Sequence, residues 1–180
     1  VISVDYRMAP EFRFPAATED VVAVYQALLQ DYPAQNIGIY GASSGAHLAA
    51  QTLVWLQQNK LPRPAAVGLI AEGATPMAGD SVAFIGALLK EHWDLHAALQ
   101  SMQYLEGADL QSPQVTPALS DTLMSKFPPS LLLSSTRDFM MSSVVATHAQ
   151  LVRLGVPADL HIWEGLDHTA AGAWTEQAGC

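Results

Sequence analysis

Cysteine is nearly absent from this chain: Cys180, the last of 180 residues, is the only one. That excludes an internal disulfide framework and a zinc cluster built on cysteine. The lone thiol fits a reducing compartment, and the cytoplasm is the expected location. Positive charge is also scarce, with eight Lys and Arg against 17 Asp and Glu and a formal net charge of -9. A nucleic-acid-binding face needs basic residues that this composition does not supply. A basic amphipathic helix for anionic membranes is missing for the same reason. No apolar run reaches the ~18 residues that a membrane span requires. Repeats and low-complexity linkers are absent too. What remains is apolar, 50% hydrophobic and 14% charged, which argues against disorder and for one domain around a buried sheet.

Strand-length apolar runs alternate with helical patterns. Val1–Val4, Ile37–Tyr40, Ala65–Ala71, Ser130–Ser134 and Ala158–Trp163 read as strands. Thr18–Gln30, Gly45–Gln58, Val82–Lys90, Asp94–Tyr104 and Ser143–Leu154 read as helices, with Thr18 and Glu19 suited to a cap and first turn. Such alternation predicts an α/β fold, a mostly parallel sheet with helices on both faces. Functional groups in such sheets gather at the carboxyl ends of the strands.

One junction stands out there. In "IGIYGASSGAHLAA" a strand runs into Gly41-Ala42-Ser43-Ser44-Gly45 and then into a helix. This is G-x-S-x-G in the strand-turn-helix setting of a nucleophile elbow. The turn is tight and strained, and residues two places either side of the nucleophile must be small. Gly41 and Gly45 meet that demand around Ser43, whereas Ser44 has alanines at the same offsets. Ser43 is the expected nucleophile, and Ser44 the expected donor of a backbone N–H to an oxyanion.

A serine nucleophile needs a base and an orienting acid, in the chain order Ser, acid, His. His161 lies inside a strand and His148 inside a helix. His92 and His96 stand four apart on a predicted helix with no third ligand, so no metal site is expected. His47 is expected to point along its own helix. His168 instead follows the fifth strand, in "EGLDHTAAG". Asp138 follows the fourth strand and is the preferred acid, with Asp167 as the alternative and a helix cap or an Arg137 ion pair as its structural reading. Tyr6, Glu11 and Asp20 read as structural, through capping or an Arg7–Glu11 pair.

Taken in order, "VISVDYRMAPEFRFPAATED", "GIYGASSGAHLA", "PPSLLLSSTRDFMMSS" and "LGVPADLHIWEGLDH" resemble the hormone-sensitive-lipase-like (family IV) carboxylesterases of the α/β-hydrolase fold. The resemblance spans residues 1–168 and implies Ser43 as nucleophile, Asp138 as acid and His168 as base. It implies one catalytic domain over residues 1–180, with 76–118 as a cap-side insertion. No cofactor is implied. The implied partner is a small-molecule ester; the oligomeric state is not implied.

The departures are specific. The elbow has Ala42 and Ser44-Gly45-Ala46 where Asp and Ala-Gly-Gly are usual. The acid is followed by Phe139-Met140 in place of Pro-Leu, and His168 by Thr169-Ala170. Glu72-Gly73-Ala74 stands where a Ser-Pro turn is expected. The family's His-Gly-Gly-Gly oxyanion loop has no counterpart, because the sequence contains no Gly-Gly pair. The expectation is a chain lacking its N-terminal part, weakly active and prone to aggregate through exposed sheet edges. Two alternatives stand beside ester hydrolysis: amide, lactone or acyl-transfer chemistry on the same triad, and a ligand-binding protein that has lost catalysis.

Overall fold

The computed structural model describes residues 1–75, 79–89 and 103–168. Its centre is a four-stranded, all-parallel sheet whose strands lie in chain order. These are β1 (Gly38–Ala42), β2 (Ala66–Ile70), β3 (Ser130–Arg137) and β4 (Ala158–Asp167). Parallel neighbours need a crossover, and the helices supply it. The helix α1 (Ala16–Leu28) precedes the sheet, and α2 (Ser44–Gln58) joins β1 to β2. Between β2 and β3 come α3 (Asp80–Leu89) and the single turn α4 (Asp121–Met124). The last crossover is α5 (Met141–Arg153).

The pleat and register decide which side chains share a face. Val67 pairs with Ser130, and Leu69 with Leu132. Val67, Leu69 and Leu132 meet Ala46, Ala49 and Leu53 of α2 and Val144 and Leu151 of α5 in one buried cluster. Burying a side chain of the Leu or Val type stabilises the fold by roughly 1.5–3 kcal/mol each, so this layer dominates the core. A second cluster packs Val22 and Tyr25 of α1 on Ile37 and on Leu56 of α2. On the opposite sheet face Tyr40 is 64% exposed and Leu131 42%. Among the described residues the helices thus cover one face of the sheet.

Several boundaries differ from the sequence reading. Val1–Val4 is not a strand; Val1 and Ile2 are exposed, and no backbone hydrogen bond ties them to another segment among the described residues. A four-residue run becomes a strand only when a neighbour pairs with it. The helix α1 starts at Ala16, two residues before the predicted cap, and Pro15 precedes it with no side-chain cap bond. Thr18 is buried instead of capping. The strand β4 runs on to Asp167, through a register irregularity opposite Ser135–Arg137. Gly165, at φ 77°, donates its N–H to Thr136 Oγ1 at 2.9 Å and keeps the two strands together there. The predicted helix Asp94–Tyr104 and the histidines at 92 and 96 fall mostly or wholly outside the described residues, as does Lys90.

Candidate active site

The carboxyl ends of β1, β3 and β4 bring three predicted residues together. Ser43 leaves β1 with φ 52° and ψ -128°, a conformation that non-glycine residues seldom adopt. Its N–H is held by the Ile70 carbonyl of β2 at 2.8 Å, which anchors the turn to the sheet. The reason for Gly41 is steric: a Cβ there would lie 2.1 Å from the Gly45 carbonyl oxygen. Gly45 has no matching constraint, since a Cβ on it meets nothing within 4 Å. The close approach expected around Ser43 is therefore demanded of Gly41 and not of Gly45.

His168 follows β4 directly. The Ser43 Oγ–H donates to His168 Nε2 at 2.7 Å, across 125 residues of sequence. On the other side of the ring, Nδ1–H donates to Asp138 Oδ1 at 2.8 Å. A carboxylate can only accept, which assigns the ring proton to Nδ1 and leaves Nε2 free to accept from the serine. The carboxylate of Asp138 is fully buried. Its Oδ1 also accepts from the Met140 N–H at 2.8 Å, and its Oδ2 accepts from Ser134 Oγ–H at 2.9 Å. The bond to Met140 is an Asx-type turn into α5, so the structural reading of Asp138 coexists with its contact to the histidine. The alternative acid, Asp167, ends β4 with its backbone opposite Arg137, and the His168 ring bonds to Asp138. Ser44 opens α2, and its N–H has no acceptor among the described residues, as expected of a first helical turn.

Similarity to known proteins identifies the fold family. The alpha/beta hydrolase fold family matches residues 1–172. The chain belongs to that family. An acetyl-hydrolase of Streptomyces hygroscopicus is 31% identical over 172 residues, covering 93% of this chain and 56% of that protein. The crystal structure of an esterase/lipase from an uncultured bacterium matches with a TM-score of 0.83 at 30% identity, over 97% of this chain and 60% of that one. An esterase of the bacterial hormone-sensitive lipase family matches with a TM-score of 0.80 at 29% identity, over 92% of this chain and 56% of that one. The group that the sequence resembles is thus represented among its structural relatives. The chain spans somewhat under two thirds of the length of each of these three proteins.

Other residues of this α/β hydrolase touch the site without a sequence signal. The ring of Phe139 packs on the His168 imidazole with centroids 4.4 Å apart, occupying the place where the family pattern has proline. Ser134 and Met140 hold the carboxylate of Asp138, but serine in a strand and a backbone N–H carry no motif. Ser81 Oγ donates to the Phe139 carbonyl at 2.7 Å and ties the start of α3 to the acid loop.

The remaining histidines separate clearly. His161 lies in β4 with its side chain exposed, and His148 Nε2 lies 3.2 Å from the Ala158 carbonyl. His47 turns away from Ser43, as its helical position predicts, and reaches the Gly73 and Val115 carbonyls. Glu72 stands beside it, with Oε1 3.9 Å from His47 Nδ1. Burial pushes the Glu72 carboxyl above its ordinary range; His47 and His168 pull it down, and the Asp138 charge adds to the rise. Among the described residues no group of three or more His, Cys, Asp or Glu forms a metal site. No helix among them is long and apolar enough to cross a membrane.

The Arg7 pair expected with Glu11 is corrected. Arg7 Nε donates to Asp20 at 3.0 Å, and its Nη2 bonds Glu19 at 3.0 Å. Both carboxylates sit in the opening turns of α1, which packs beside Arg7, while Glu11 is exposed. Hydrogen bonds from Arg7 hold the Asp20 carboxyl below its ordinary value. The structural reading of Asp20 stands with a different partner.

Proposed function

We propose that this chain carries the catalytic centre of a serine carboxylesterase that hydrolyses small-molecule esters through an acyl-enzyme. The observation that carries this reading is the unbroken hydrogen-bond chain from Ser43 through His168 to the buried Asp138. Ser43 Oγ attacks the ester carbonyl while His168 Nε2 takes its proton. His168 returns that proton to the leaving alcohol, and the Ser43 acyl ester forms. Water then attacks the acyl carbon, with His168 again as base, and releases the carboxylic acid. Asp138 holds the ring tautomer and faces the imidazolium that forms on each transfer.

The oxyanion developing on the carbonyl is stabilised by the Ser44 N–H at the α2 N-terminus. Losing one donor of an oxyanion hole lowers turnover by on the order of 10²–10³. Similarity to an acetyl-hydrolase supports a short acyl group as the one transferred, and the reading of residues 76–118 as a cap-side insertion rests on the family resemblance. No cofactor enters the scheme.

Labelling with a fluorophosphonate tests the reading, because phosphonylation of serine needs the assembled nucleophile and base but not full turnover. One equivalent is expected on Ser43 by mass spectrometry, with none on Ser43→Ala and strongly slowed labelling of Asp138→Asn. A folded sample that stays unmodified refutes the reading and favours a binding protein on a hydrolase fold.

A further inference from the structure

Two hydrogen bonds hold the His168 imidazole, and both act through its nitrogens, at Ser43 Oγ and Asp138 Oδ1. They fix the line joining the nitrogens and leave the ring plane to swing about that line. Phe139 meets the ring, with centroids 4.4 Å apart and planes at 44°. It is 3% exposed, so close packing gives it little room to yield. Phe139 also carries one end of a peptide that touches the acid. The N–H of the Phe139–Met140 peptide donates to Asp138 Oδ1 at 2.8 Å, the oxygen that accepts from His168. The carbonyl of that same peptide accepts from Ser81 Oγ–H at 2.7 Å. A peptide unit is planar, so a hold on its carbonyl also aims its N–H.

Ser81 lies in the first turn of α3 and is buried. Its hydroxyl accepts from the Ser142 N–H at 2.9 Å, while Ser142 Oγ accepts from the Ser81 N–H at 3.0 Å. Both N–H groups belong to first helical turns, which have no acceptors within their own helices. The helices α3 and α5 therefore meet N-terminus to N-terminus, each serine capping the other's helix. Like dipole ends repel, so the meeting depends on the two hydroxyls. The approach is close: a Cβ on Gly79, at φ 103°, would lie 2.6 Å from Ser142 Cβ. Thr75 Oγ1–H holds the same turn of α5, donating to Ser143 Oγ at 2.7 Å.

We infer that Ser81 is a positioning residue for the acid and the base, acting through the Phe139–Met140 peptide. Its bond to the carbonyl aims the Met140 N–H at Asp138 and seats the Phe139 ring on His168. Ser81 touches neither Ser43 nor His168. It lies outside the sheet, so a helix between β2 and β3 sets the alignment of groups at the ends of β1, β3 and β4. The assignment rests on the reading of Ser43, Asp138 and His168 as nucleophile, acid and base.

The test is the rate of Ser43 labelling by a fluorophosphonate on the full 180-residue chain. Ser81→Ala is expected to slow labelling by about tenfold, short of the ~10²-fold that a misplacement of about 1 Å costs. Ser130→Ala is the control. Ser130 is also 5% exposed and donates its hydroxyl to a carbonyl, that of Pro128 at 2.8 Å, but it lies at the far end of β3. It is expected to label at the wild-type rate. Wild-type labelling by folded Ser81→Ala overturns the inference, and so does equal slowing in Ser130→Ala, which would make the effect one of general stability. Should Ser81→Ala not fold, Ser142→Ala breaks the other half of the clasp. It is expected to slow labelling too, and an unchanged rate overturns the inference. Should the wild type stay unlabelled, that failure belongs to the esterase reading. The nuclear Overhauser contact between the Phe139 and His168 rings then decides: its loss in Ser81→Ala upholds the positioning role, and its persistence overturns it.

Discussion

Gly41 and Gly45 occupy symmetrical places in G-x-S-x-G and have unequal physical roles. The strand glycine faces the backbone of the helix glycine at a distance no Cβ can share, and its neighbour is main chain that cannot rotate away. Overpacking of this kind destabilises by roughly 1–3 kcal/mol. Gly41→Ala is expected to lose about that much in urea unfolding and to lose Ser43 labelling with it. Gly45→Ala has open space and a helical position, where alanine is favoured by up to ~1 kcal/mol. It is expected to unfold at an equal or higher urea concentration. A motif match alone would treat the two glycines as equivalent.

Elements are placed by their core layers and tuned by a few exposed pairs. The single turn α4 is tied to α5 by Asp121, which pairs with Arg153 at 2.8 Å and accepts from Gln150 at 2.9 Å. The Arg153 hydrogen bond, first, and then Gln150 lower the Asp121 carboxyl from 3.8 to about 2. A depressed acid stabilises the folded state fully above its unfolded value of 3.8 and loses that contribution as pH falls through about 2. Both partners are more than half exposed, so the effect is small. The gap in urea midpoint between wild type and Asp121→Asn is expected to be open near neutral pH and to close toward pH ~2. Parallel profiles would show that the pair contributes nothing. In the core, Leu132→Ala should cost about 2–5 kcal/mol, because Leu132 is completely buried between α2, α5 and the sheet. The same unfolding curves read this out.

Over the whole molecule, the sheet has one face sealed by α2 and α5 and one on which Tyr40 and Leu131 are exposed among the described residues. The strands β1 and β4 are the edges of the described sheet. An exposed apolar face beside open edges favours association. The chain is expected to self-associate with rising concentration in sedimentation velocity. The double variant Tyr40→Lys, Leu131→Glu is expected to shift that equilibrium toward monomer without changing the urea midpoint of the sealed core. Association that ignores both changes would place the contact elsewhere.

Local physics decided much of this protein before any contact formed. Strand and helix periods act over a few residues, so β1, β2, α2 and α5 were legible within one or two residues of their ends. The elbow was legible too, since a strand, a small-residue turn and a helix start are contiguous. Chain order and the carboxyl-end rule selected Asp138 and His168, because strand ends are where such residues converge. Tertiary structure decided what depends on register and packing. It brought His168 onto Ser43 over 125 residues and onto Asp138 over 30. It gave Arg7 to Asp20 in place of Glu11, left Val1–Val4 without a partner strand, and carried β4 past the point where its apolar pattern ends. It also set Phe139 on the imidazole and Glu72 beside His47. Those contacts join residues that no spacing rule connects, because each is made by side chains from different strands and helices meeting across the folded sheet end.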